Sequence, residues 1–130
     1  MTATAKGSGW AIAQVDEIKP AQPDWPATWK SVRKHFGIEA FGVNAVTKDA
    51  GNVLIPEHDE RDSGQQELYF VHRGAVRVTI AGEEVEVGEG GMIAVGPETT
   101  RKIESTASPT TLIAMGGTPG QPYQVGEWEG

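Results

Sequence analysis

With 130 residues, a net charge of −7 and no cysteine, the chain has room for one compact domain and no means of building disulfides, thiolate metal sites or a thiol nucleophile. The acidic balance argues against broad binding to a phosphate backbone, which depends on clustered Lys and Arg displacing counterions, so no nucleic-acid partner is expected. Seventeen glycines and eight prolines punctuate short apolar runs, the pattern of many strands and turns.

In chain order, residues 1–9 are small and polar and are expected to fray except where Trp10 holds them. The opening MTATAKGSGW lacks the apolar segment of a secretory signal, and no run of about 18 apolar residues follows. A soluble, cytoplasmic protein without a membrane partner is the expectation. Residues 11–18, with Ile12 and Val15, read as a short edge strand. Residues 24–37 read as a helix covering a sheet, because Trp25, Trp29, Val32 and Phe36 recur at helical spacing. Asp24 can cap it, Pro26 suits its first turn and Gly37 suits the residue past its end. His35 then lies among Lys30, Arg33 and Lys34 near the C-terminus, where positive charge meets the negative end of the helix dipole.

From Ile38 the period changes to two. Strands are predicted over 38–47, 52–57, 67–72, 75–80, 83–87, 92–95, 101–105 and 110–115, an all-β rhythm. The clearest pair is AVRVTI and EEVEV about Ala81-Gly82. A two-residue turn there sets Val78 against Val85, Val76 against Val87 and Arg77 against Glu86, with one apolar face and one charge pair. The ending TPGQPYQVGEWEG carries Tyr123, Val125 and Trp128 and is expected to pack over the barrel or across a partner subunit.

The stretch GNVLIPEHDERDSGQQELYFVHRG, residues 51–74, holds His58 among Glu57, Asp59 and Glu60 and leads through a flexible RDSGQQ lip to Glu67. Gly51, His58, Glu67 and Gly74, followed by Gly91 and Pro97, are similar to the two motifs of the cupin superfamily, specifically its small single-domain members. The resemblance covers residues 51–106 and implies a double-stranded β-helix, the cupin jelly-roll barrel, with one short N-terminal helix and a site in the barrel mouth. It also implies a frequent homodimer and a metal held by three histidines and a glutamate.

This chain departs from that ligand set. Strict counting from Gly51 places the first two ligands at Glu57 and Asp59; one extra residue places them at His58 and Glu60, which keeps the histidine. Counting from Pro97 puts Lys102 where the last histidine belongs, whereas strand parity groups Arg101 with Ile103 and Ser105 and turns Arg101 inward. Either residue is a cation, and a guanidinium cannot coordinate a metal. His58, Glu60 and Glu67 remain as a reduced set for a divalent ion (Fe, Mn, Zn or Ni). A buried Arg101 would repel that ion, and pairing it with Glu67 or Glu60 would replace it, so the reading favours no resident cofactor.

The favoured function is a barrel binding a small polar or anionic molecule through Arg101, Glu67, His58 and Tyr69. A metal-dependent enzyme of isomerase or dioxygenase type, using His58 and the carboxylates, is the alternative; a structural or interaction protein is the second.

Overall fold

The structure is a computed structural model that describes residues 5–21 and 28–125. Strands β1 (Ala5–Gly7) and β2 (Trp10–Ile12) form a small hairpin, followed by a 3-10 turn at Val15–Glu17. Next come β3 (Thr28–Ser31), α1 (Val32–Phe36), β4 (Gly42–Lys48), β5 (Val53–His58), β6 (Gln66–Arg73) and β7 (Ala75–Ile80). The chain continues through β8 (Glu83–Gly88), β9 (Met92–Val95), β10 (Arg101–Ser105) and β11 (Thr110–Gly117).

Two antiparallel sheets make the barrel, ordered β5-β10-β7-β8 and β3-β4-β11-β6-β9. Period-two alternation sends one face of each strand between them. Val46, Leu54, Val71, Val76, Ile103 and Leu112 are all wholly or almost wholly buried there. The β7–β8 hairpin has the register its side chains demand, with Val78 opposite Val85, Val76 opposite Val87, and Arg77 opposite Glu86. Its turn places Ala81 at φ 49° and Gly82 at φ 79°, the two positive values that match the twist of a tight hairpin. Val85 nevertheless stays half exposed, on β8 at the edge of its sheet.

Three expectations are corrected. The helix predicted over 24–37 is only Val32–Phe36, and the residues before it, Thr28–Ser31, form a strand. Backbone pairing of Thr28–Ser31 with β4 wins over the helical spacing of the tryptophan, and Trp29 faces the barrel cavity instead of a helix stripe. Ser31 is the actual N-cap, its hydroxyl accepting from Lys34 N at 3.1 Å; Asp24, Trp25 and Pro26 lie outside the described residues. Within 1–9, Ala5–Gly7 does not fray but pairs with Trp10–Ile12. The edge strand predicted for 11–18 ends at Ile12. At the other end, Tyr123 packs on the barrel against Gly42 and under the Arg33 guanidinium, while Trp128 lies outside the described residues.

Candidate functional site

The mouth is built where β5 ends, β6 begins and β10 begins. His58 is the last residue of β5 and pairs directly with Arg101, the first of β10. Parity on β6 turns Glu67, Tyr69 and Val71 towards the core side, and parity on β10 buries Arg101, Ile103 and Ser105 while Lys102 and Glu104 keep contact with solvent. The lip between β5 and β6 is tied down rather than loose. Glu60 N donates to Pro97 O at 2.8 Å, Gly64 N donates to Glu60 O at 2.8 Å, and the Ser63 hydroxyl donates to Glu60 Oε2 at 2.9 Å.

His58 Nδ1 lies 2.8 Å from Pro56 O. A carbonyl only accepts, so Nδ1 carries the proton and the ring is held in one orientation. The other nitrogen, Nε2, faces Glu60 Oε1 at 3.1 Å and Glu67 Oε1 at 3.7 Å. With a neutral ring this sets a lone pair against two carboxylate acceptors, an arrangement that demands either a proton or a cation between them.

Burial is the main influence on Glu67, and it raises the carboxyl above its ordinary range; the nearby Glu60 charge adds to this, while the Tyr69 bond, Arg101 and His58 oppose it. Burial and the adjacent Glu67 charge push Tyr69 well above the ordinary phenol range, so it stays protonated and donates to Glu67 Oε1 at 2.6 Å. Arg101 has no exposed side-chain surface. Its Nη2 donates to Gly96 O at 3.0 Å, Nη1 lies 3.5 Å from His58 O and 3.8 Å from Glu67 Oε1, and Nε has no partner.

A cavity of about 260 Å³ opens onto His58, Glu60, Glu67 and Tyr69. Arg101 sits behind Glu67 and is not part of this wall. The structure therefore brings together all five sequence-predicted site residues, but sets four on the cavity and the fifth beneath it. Sequence reasoning missed Trp29, Asn44, Gln65 and Tyr123, which also line the cavity. Asn44 carried a readable signal: it shares strand parity with Val46 and is a polar residue on an inward face.

The donor set fits a divalent cation. One nitrogen and two carboxylate oxygens lie within 4.8 Å of one another, and the Nε2–oxygen distances of 3.1 and 3.7 Å are close to the separation of about 3.0–3.4 Å between ligands on one ion with bonds of about 2.1 Å. The Pro56 carbonyl on Nδ1 is the outer support that metal-bound histidines characteristically have. An ion there would offer open positions to oxygen ligands of a bound molecule.

No family model matches the sequence, and no curated protein matches it significantly. Solved structures do match in fold. A cupin protein from Bacteroides fragilis superposes with a TM-score of 0.64 at 17% identity, over 84% of this chain and 92% of that one. KdgF from Halomonas sp. gives 0.62 at 21% identity, over 73% and 82%. A sugar phosphate isomerase from a cupin superfamily, from Silicibacter pomeroyi, gives 0.64 at 20% identity, over 82% and 75%. Two antiparallel sheets in this order and these superpositions give the chain the jelly-roll barrel fold of the cupin structures.

Proposed function

We propose that the protein is a small-molecule-binding barrel in which His58, Glu60 and Glu67 hold a divalent cation that anchors a small polar ligand in the mouth. The observation that carries this reading is the fixed tautomer of His58, whose Nε2 is aimed at two carboxylate oxygens while Nδ1 is spent on Pro56 O. Arg101 does not contact the ligand in this reading. It lies under Glu67 and offsets part of the carboxylate charge, so that two carboxylates and one guanidinium leave a net −1 at the site with a neutral histidine. A bound divalent ion reverses that to +1, and its open positions then accept hydroxyl oxygens of the ligand.

Calorimetric titration of chelator-stripped protein with manganese, iron(II), zinc and nickel tests this. One equivalent of at least one ion should bind, and His58→Ala and Glu60→Gln should each abolish the isotherm. Absence of binding for all four ions overturns the reading. A second reading has a specific observation in its favour: the His58–Glu60 contact at 3.1 Å and the Arg101–Glu67 contact at 3.8 Å form an internal charge network that takes the place of the ion. It predicts a protein that binds polar molecules with no metal at all.

A further inference from the structure

The inner cavity, at about 260 Å³, is smaller than the range of about 300–1,000 Å³ in which small-molecule pockets fall. A ligand of ordinary size has to extend out of it. The adjoining space is a groove of about 460 Å³ between the lip and the segment after β11, and Gln65, Tyr123 and Gln124 line both hollows.

We propose that these are two subsites for one ligand, an unphosphorylated hydroxyl-rich compound of sugar type, reaching from the inner pole into the groove; this rests on the metal-anchored reading of that pole. Asp62, Ser63, Thr118 and Gln121 form the rest of the groove with Pro122, and Asp62 is the one charged residue among the described lining. Amides and hydroxyls both donate and accept, which is what a hydroxyl group requires of its partners. A phosphate lying in the groove would instead call for Lys or Arg, and the described lining has neither. Tyr123, which lines both hollows, and Trp29 in the inner cavity add aromatic surface to the walls.

The groove is built into the fold. A Cβ on Gly42 would lie 2.5–2.7 Å from atoms of the Tyr123 side chain, and one on Gly116 would lie 2.6 Å from Gln65 Oε1. Tyr123 thus rests against the bare backbone of Gly42, where an alanine would force it to shift, whereas the Gln65 carboxamide over Gly116 is the end of a flexible side chain and gives way more easily. The Thr118 hydroxyl ties the segment after β11 to the lip by donating to Ser63 O at 3.0 Å. Ser63 Oγ in turn donates to Glu60 Oε2 at 2.9 Å, so the groove and the inner pole share a hydrogen-bonded residue. Asn44 adds an amide to the inner wall, and its buried Oδ1 has no hydrogen-bond partner among the described residues.

The test uses manganese-loaded full-length protein, with saturation-transfer NMR and calorimetry against glucose, maltose, galacturonate, mannitol and glucose 6-phosphate. At least one unphosphorylated probe should bind, glucose 6-phosphate should bind no tighter than glucose, and Tyr123→Ala and Gln121→Ala should each weaken binding by about tenfold while the manganese isotherm is unchanged. No binding by any unphosphorylated probe, preference for the phosphorylated sugar, or indifference to both substitutions overturns the proposal. If manganese fails to bind, the metal reading falls by itself; the subsites stand only if metal-free protein binds a probe with the same sensitivity to Tyr123 and Gln121.

Discussion

At the end of the barrel opposite the mouth Ser105 and Thr110 are buried with their hydroxyls both donating and accepting. Ser105 Oγ donates to Asp49 O and accepts from Asn52 N at 3.2 Å; Thr110 Oγ1 donates to Ala107 O at 2.7 Å and accepts from Ala75 N at 3.4 Å. At the mouth, the equally buried Arg101 keeps an unpartnered Nε, Asn44 keeps an unpartnered Oδ1, and Glu67 is held above its ordinary pKa by burial. Polar groups buried for architecture are saturated, since an unmet donor or acceptor costs stability and returns nothing. Those at the mouth are left short of partners: Asn44 stands on the cavity wall, whereas Arg101 lies beneath it against Glu67.

The largest way to break this contrast is to remove the guanidinium. Arg101→Met leaves Glu67 buried beside Glu60 without its cation and should lower stability by about 3–5 kcal/mol, read from urea unfolding at neutral pH. Arg101→Met combined with Glu67→Gln should recover most of that loss, because the uncompensated charge goes with the carboxylate. A full loss persisting in the double variant would mean that Arg101 acts through Gly96 O and His58 O, the two backbone carbonyls it reaches, rather than through Glu67.

The end opposite the mouth should respond in the same direction by a smaller amount. Thr110→Val keeps the volume but strands Ala75 N, which Thr110 Oγ1 accepts from, and should cost about 1–3 kcal/mol. Ligand and metal binding should be untouched. A neutral result would show that water reaches Ala75 N and that this end is less dry than its burial suggests.

The barrel was legible in the chain because a buried strand writes itself in period two. The β7–β8 register follows from valines on one face and Arg77 with Glu86 on the other, and the burial of Arg101 beside Ile103 follows from the same parity. The segment before α1 was not legible, because Trp29 satisfies a helical stripe and a strand equally well, and only the waiting edge of β4 decides between them. The wall formed by Tyr123 and Gln65 was hidden for a different reason. It depends on Gly42 and Gly116 approaching those side chains across the fold, and a glycine's sequence position does not name what will rest on it.

A subtler test of the mouth is its pH dependence in chelator-treated protein. Burial raises Glu67 above its unfolded value, so over the window between the two the folded protein holds a proton that the unfolded chain releases. The Glu67 contribution is therefore fully present below the unfolded pKa and is lost as pH rises through the raised folded value. Thermal midpoints measured from about pH 4 to pH 7 should carry this downward component in wild type, and Glu67→Gln should remove it. An identical profile in both proteins would mean that another group dominates the linkage.

The smallest expected effect on stability is the most telling for function. Asn44 stands on an inward row of β4, next to Ala114 of β11 and two strands from Tyr69 of β6, where an apolar side chain would suit its neighbours. Asn44→Leu removes a buried acceptor that has no partner, and replacing an unpaired polar group by an apolar one of similar size is close to neutral or mildly stabilising. Urea unfolding should show no loss, while binding of a hydroxyl-bearing probe in the inner cavity should weaken. A clear destabilisation would mean that the amide already has a partner in the ligand-free barrel, such as a bound water, and the contrast between the two ends would then narrow to Arg101 and Glu67 alone.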